Sequence, residues 1–233
     1  MNRFCIGPIA AAALALCLLS SAAAAQRSHD IEPPTGVPAA VIRAGAAIQP
    51  QLWALDDWYL DQLEPLTRQR LAVMNPADGW LSPTTTVTAD GNRRALERRF
   101  RIVELLEREV QLQDDYSKRL VALAQDPAIP ASSRKAFTTF VTGYAQVFID
   151  HRKNAAASLN RFLAGLVEQF TRNYDLVQSG GAIVQDNEVS YTDEYLPGAQ
   201  QLRQAINGWS LEHQALEQAM AAEMPRPSQI RWQ

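Results

Sequence analysis

The sequence predicts an all-α protein: an elongated bundle of about four helices with coiled-coil-like heptads, and a small β-hairpin between the last two helices. Apolar residues recur every three or four positions over long stretches, as in amphipathic helices. Prolines and glycines cluster between these stretches and mark their ends. Two short β-branched runs flank Asp186-Asn187, where a tight turn fits. We expect one helical bundle domain over residues 39–224, arranged as a four-helix bundle or a pair of coiled-coil hairpins.

The first 25 residues have the pattern of a secretory signal peptide. Arg3 provides the positive start, an apolar run covers residues 9–19, and small residues fill 20–25. This apolar run is shorter than the roughly 20 residues that a spanning helix needs, and no later segment approaches that length. We therefore expect cleavage near Ala25, export to the bacterial periplasm, and no transmembrane segment in the mature chain.

Cysteine usage and charge exclude several classes of function. Cys5 and Cys17 both lie in the segment that we expect to be removed, so the mature chain would have no disulfide, thiol nucleophile or cysteine-ligated zinc. Leu16 stands where lipid-attachment sites have a small residue, so we expect no lipid anchor at Cys17. The net charge of −3 does not favour nucleic-acid binding.

The chain after the signal peptide begins with a leader and a first helical region. Residues 26–38 contain three prolines and a glycine and are expected to be flexible or extended. In residues 39–74, Pro50 and Pro65 predict kinks or breaks. The apolar stripe of this region is Ile48, Leu52, Leu55, Tyr59, Leu63 and Leu66.

The second helical region follows a proline-, glycine- and threonine-rich loop at residues 75–91, with Asn92 as its expected N-cap. Its apolar stripe changes phase halfway, and Pro127 and Pro130 end it. The stripe runs through Leu96, Phe100, Val103, Leu106 and Val110, then Leu112, Tyr116, Leu120 and Leu123.

The third helix is expected to be the longest. Ser132 or Ser133 can cap it, and its heptads continue to Gln178, which corresponds to about 70 Å at 1.5 Å per residue. Gly143 and Gly165 either bend it or let a neighbouring helix approach closely.

A β-hairpin and the last helix complete the chain. Gly180-Gly181 end the third helix, and Asp186-Asn187 provide the hairpin turn. The last helix is predicted from about Pro197 to Glu223, followed by a tail at 225–233. Because isolated hairpins are marginal in water, this one either docks on its own bundle or is exposed for a partner.

Candidate binding residues come from three patterns. The start of the second helix carries four candidate arginines, with Arg101 next to them, at the end where the helix dipole disfavours positive charge; they form either a partner-binding patch or ordinary ion pairs. Tryptophans widen the apolar surface of the first helix, and Trp80 and Trp232 lie in loop and tail, where an exposed aromatic would indicate contact. The candidate partner-binding residues are Arg93, Arg94, Arg98, Arg99, Trp53, Trp58, Val189 and Tyr191.

Two histidines on apolar stripes are candidates for a sensing site. His151 and His213 fall on neighbouring helices, and Glu217 lies one turn after His213. They are satisfied core histidines, a pH-sensing or ligand-binding pair, or part of a metal site. Because about four ligands would be needed for a structural metal, we expect no metal and no cofactor.

Part of the chain resembles a family of small exported bacterial proteins, mostly lipoproteins, of uncharacterised function. The matching segments are YDLVQSGG, the VSYT that follows, HQALEQAM at 213–220 and FTTFVTGYAQVF at 137–148. The resemblance implies a helical protein associated with the cell envelope, and it implies no activity for any residue.

The sequence contains no catalytic motif: it has no Gly-x-Ser-x-Gly, phosphate-binding loop, His-Glu-x-x-His or dinucleotide fingerprint. We therefore expect a non-enzymatic periplasmic or envelope protein that binds another protein or the envelope as an accessory factor, chaperone-like holder or inhibitor. A small-ligand or metal sensor around His151 and His213 is the alternative, followed by an enzyme whose site the sequence hides. A homo-oligomer is compatible with either.

Overall fold

The computed structural model describes residues 2–4, 29, 31–75, 77, 79–222 and 225–233. Within these residues the chain forms six helices and three short strands. The rest of the expected signal peptide, with Cys5, Cys17 and the cleavage site at Ala25, lies outside them, as does the expected helix end at Glu223. The elements are β1 (Asn2–Phe4), α1 (Ala39–Ala47), α2 (Gln49–Met74), α3 (Pro83–Thr86), α4 (Ala89–Leu123), α5 (Ala131–Ser179), β2 (Ala182–Gln185), β3 (Glu188–Tyr191) and α6 (Leu196–Ala222).

The mostly helical architecture and the antiparallel hairpin before the last helix are confirmed. α5 is the longest helix and packs against α4, α6 and α1, while α2 packs against α4. The first region breaks at Ile48, so that Pro50 occupies the first turn of α2, where a missing N–H costs nothing. Pro65 lies inside α2 without ending it, on the exposed side of the helix.

Both expected N-caps are wrong by a few residues. α4 begins at Ala89, and the Thr88 side chain caps it by accepting a hydrogen bond from the Gly91 N–H at 3.0 Å. Asn92 lies inside the helix and accepts from Thr171 instead. α5 begins after Pro130, with no side-chain cap. Ser133 is buried and its hydroxyl has no hydrogen-bond partner among the described atoms.

The hairpin docks on the bundle. Asp186 and Asn187 both have positive φ (53° and 62°), as a two-residue type I′ turn requires. Val189 is 0 % exposed, and the Tyr191 hydroxyl donates to Asn173 Oδ1 of α5 at 2.6 Å. At the tip, the Ser82 hydroxyl donates to Asn187 Oδ1 at 2.7 Å. This segment therefore connects α5 to α6 and covers their ends.

A third strand that the sequence did not predict joins this hairpin. β1 pairs antiparallel with β3, with Asn2 opposite Tyr191 and Phe4 opposite Val189, so the sheet order is β1-β3-β2. Three residues within an expected signal peptide carry no strand periodicity of their own, and the pairing depends on a strand about 185 positions away in sequence.

The expected leader and tail lie next to each other at the opposite end of the bundle. Ile31 forms a parallel bridge with Ile230, and the Gln49 side chain bonds the backbone on either side, donating to the Ile230 carbonyl and accepting from the Trp232 N–H. Trp232 is 0 % exposed and packs edge-on against Phe137 and Phe140. Its expected role as an exposed contact is therefore wrong.

Candidate functional site

A buried ion cluster joins three helices at the middle of the bundle. Glu109 of α4 is 0 % exposed, and its two carboxylate oxygens accept from Arg70 Nε of α2 at 2.8 Å and Arg152 Nη2 of α5 at 2.6 Å. A buried carboxylate is tolerated when hydrogen-bonded cations compensate it. The second cation leaves this triad with a net positive charge in the interior.

Tyr59 and Gln113 extend this buried polar layer. The Tyr59 hydroxyl donates to Gln113 Oε1 at 2.7 Å. Burial raises the pKa of Tyr59, because the phenolate would lose its hydration. Tyr59 therefore stays a neutral hydrogen-bond donor.

His213 of α6 lines a small cavity beside the ion triad. The cavity is about 10 Å³ and is lined in part by Arg70, Arg152 and Glu217, which is room for about one water. His213 is 3 % exposed, and its Nδ1 has no hydrogen-bond partner among the described atoms. His151 is half-buried on α5 and does not line this cavity, so the expected histidine pair does not share one site.

A second buried carboxylate, which the sequence did not single out, binds the C-terminal tail. Asp56 is 0 % exposed and accepts from Arg226 Nε and from the Ser228 hydroxyl, both at 2.8 Å. Ser228 also shares a hydrogen bond of 2.7 Å with Tyr116. The available signal was a carboxylate within the apolar stripe of the first helical region, next to Leu55.

The four arginines at the start of α4 mostly have partners within the bundle. Arg93 pairs with Asp90 and Glu97, and Arg94 pairs with Asp90. The remaining two reach other elements: Arg98 bonds the Val73 carbonyl and lies over the Trp80 ring, and Arg99 bonds Asn160 of α5. Asp90 in the first turn compensates the charge that the helix end disfavours.

The other predicted binding residues also face the protein. Trp53 stacks on His29 at 5.3 Å between ring centroids, and Arg119 lies 3.9 Å above the Trp58 ring. Val189 and Tyr191 belong to β3 of the hairpin and are buried. They are therefore not available as the partner surface that the sequence allowed.

Two large apolar side chains are exposed one turn apart on α4. Phe100 is 60 % exposed and Leu96 37 % exposed. Together with half-buried Val103 and Val110 they form one face of the helix, which we name the α4 strip. The sequence assigned these residues to the core. Instead α4 packs through a face rotated from the strip, which contains Ala95, Ile102, Leu105 and Leu106.

A groove continues the α4 strip toward α5. It has a volume of about 270 Å³, and its lining includes Val103, Leu106 and Val110 of α4 and Ala156 and Ala157 of α5. The side chains of the two alanines are short, so they leave room for another apolar side chain to enter the groove. The rim carries Glu107 and Lys153.

The described part of the chain contains neither a candidate metal site nor a candidate membrane-spanning helix. No cluster of three or more histidine, cysteine, aspartate or glutamate residues there is placed to hold a metal ion. No described helix combines the length and the apolar character that crossing a bilayer requires.

No protein-family model, curated protein or solved structure matches the chain.

Proposed function

We propose that this chain is an exported, non-enzymatic helical protein of the bacterial periplasm or envelope that acts by binding another protein through the α4 strip and its groove. The observation that carries the proposal is the exposure of Phe100, at 60 %. A large aromatic side chain on a regular helix is unfavourable when it is exposed to water. Exposed apolar patches therefore commonly mark interaction sites.

The shape of this surface favours an amphipathic helix as the bound element. Leu96, Phe100, Val103 and Val110 lie within about 80° of the helix circumference at 3.6 residues per turn, and they extend about 21 Å along the axis. A groove between two long helices, α4 and α5, offers a third helix the apolar contacts of a helix-in-groove complex.

The interior favours binding over catalysis or ligand sensing. Both oxygens of Glu109 are bonded to arginines, and Asp56 is bonded to Arg226 and Ser228. The cavity at His213 has room for about one water, so the alternative of a small-ligand or metal sensor has less support. The signal-peptide pattern supports the location.

The test is a crosslinking pull-down from the native envelope with the Phe100→Glu variant. Because a carboxylate in an apolar contact loses its hydration, we expect the partner captured by the unchanged chain to be lost. Leu211→Glu is the matched control, because Leu211 is 65 % exposed on α6, away from the strip. Capture of the same partner by both variants at unchanged thermal stability would contradict the proposal.

A further inference from the structure

The His213 cavity places an unpartnered imidazole nitrogen among fixed charges at a helix interface. Arg70 of α2 and Arg152 of α5 line the cavity, and Glu217 approaches from α6 itself. Glu109 of α4 is already bonded to both arginines. The only lining carboxylate left to face His213 is therefore Glu217.

The imidazole links α6 to its one main neighbour. α6 packs chiefly against α5, and Ala155 of α5 lines the cavity beside His213. The Nδ1 atom is left without a partner among the described atoms. A proton on both nitrogens would add a positive charge in the interior beside two arginines, Arg70 and Arg152, and such a charge is costly.

The electrostatics agree with this geometry. Burial lowers the pKa of His213 from its ordinary value; Glu217 raises it, Arg70 lowers it, the Ala155 backbone raises it and Arg152 lowers it, and the net direction is downward. The docked helix therefore prefers the neutral imidazole, whereas His213 in an undocked helix titrates near 6.5.

We propose that His213 is a pH-sensitive latch: α6 docks against α5 with a neutral imidazole at this position, and acidification weakens that docking. The sign follows from proton linkage. Above about pH 6.5 both forms are neutral and docking does not depend on this group. Below that value the undocked helix binds a proton that the docked helix does not, so docking weakens as pH falls, by at most about tenfold per pH unit.

The rest of the α6 interface fits a local release. Leu202, Ile206 and Trp209 of α6 pack on the cluster that contains Leu163 and Leu166 of α5. Helices held mainly by one neighbour open locally at lower cost than the whole fold. Leu96, Phe100, Val103 and Val110 of the α4 strip do not line the His213 cavity, whereas the groove beside the strip shares Leu106 and Ala156 with it.

Hydrogen exchange of the full chain at pH 7.5 and 5.5, corrected for intrinsic exchange rates, tests the latch. We expect the open population of α6 to increase by up to about tenfold for each pH unit below about 6.5, while α4 stays protected. Most carboxylates titrate below this range. An α6 exchange pattern that does not change between the two pH values would overturn the proposal.

Three variants separate the latch from general acid sensitivity. His213→Gln should lose the pH response, and His151→Gln, the half-buried histidine outside the cavity, should keep it. Glu217→Gln removes the facing carboxylate, so its α6 should open more than that of the unchanged chain at pH 5.5. A response retained by His213→Gln, or unaffected by Glu217→Gln, would contradict the mechanism; the second comparison holds even if His213→Gln folds poorly.

Discussion

At the scale of single residues, the bundle concentrates its charge in pairs that only the fold assembles. Glu109 and Asp56 are both 0 % exposed, yet each is held by cations from distant parts of the chain. Such pairs add little net stability compared with apolar residues, but removing one partner leaves a buried charge uncompensated. Their effect is to fix how the helices face one another.

The Glu109 triad yields a stability prediction. Glu109→Gln keeps the side-chain shape but removes the negative charge that Arg70 and Arg152 both contact, so we expect a loss of about 3–5 kcal/mol in the free energy of unfolding. Urea unfolding followed by circular dichroism measures it. Glu104→Gln is the control, since Glu104 forms an exposed pair with Arg101 and should change little. Equal midpoints for the two variants would show that the triad does not constrain the fold.

At the scale of elements, the long helix α5 is packed closely at one of its interior glycines and open at the other. Its two interior glycines have different surroundings: a Cβ on Gly165 would come within 2.5 Å of Trp209 Cζ3, while a Cβ on Gly143 would meet nothing within 4 Å. Only Gly165 therefore lets α6 approach closely. The sequence left bending and close approach open for both positions.

Paired alanine substitutions test this difference. Gly165→Ala pushes against Trp209 and Ile206, so we expect a loss of about 1–3 kcal/mol from overpacking. Gly143 is exposed, so Gly143→Ala should raise the free energy of unfolding by up to about 1 kcal/mol through helix propensity. Thermal unfolding of both variants gives the comparison. If both shift the melting temperature in the same direction, the close packing of α6 on Gly165 is not as described.

At the scale of the whole molecule, a different segment closes the bundle at each end of α5. The hairpin of β2 and β3 covers one end of α5. The tail closes the other end, where Trp232 lies so close to α1 that a Cβ on Gly45 would come within 2.4 Å of its ring. Arg226 reaches Asp56 across 170 positions. Segments expected to be a loose leader and tail thus complete the core.

Removing the tail tryptophan tests this closure. Trp232→Ala vacates a fully buried site between α1 and α5, so we expect a loss of about 3–5 kcal/mol in unfolding free energy. The neighbouring Gln233→Ala is the control, because Gln233 is exposed and should be nearly neutral. Chemical denaturation of both proteins measures the difference. A Trp232→Ala midpoint equal to that of the control would mean that the tail is dispensable for folding.

Much of the element order could be read from the sequence because its signals are local. Apolar periodicity located the long helices, Gly180 ended α5 with a left-handed φ of 80°, and Asp186-Asn187 formed the turn. The cap of α4 was placed wrongly, because Thr88 and Asn92 are both residue types that cap helices and the helix begins after the first of them. The phase of α4 was misjudged at Phe100, since periodicity shows that a stripe exists but not whether a neighbour covers it.

By itself, then, the sequence determined the helical class, the hairpin, the proline and glycine boundaries and a signal-peptide pattern, all of which depend on residues within a few turns of one another. Only the tertiary structure decided which charges meet, that Val189 and Tyr191 are buried, that Phe100 is exposed, and that His213 stands beside two arginines without His151. The physical reason is that burial and electrostatic environment depend on distance in space. Arg70, Glu109, Arg152 and His213 lie on four different helices, and nothing in their local sequence encodes their meeting.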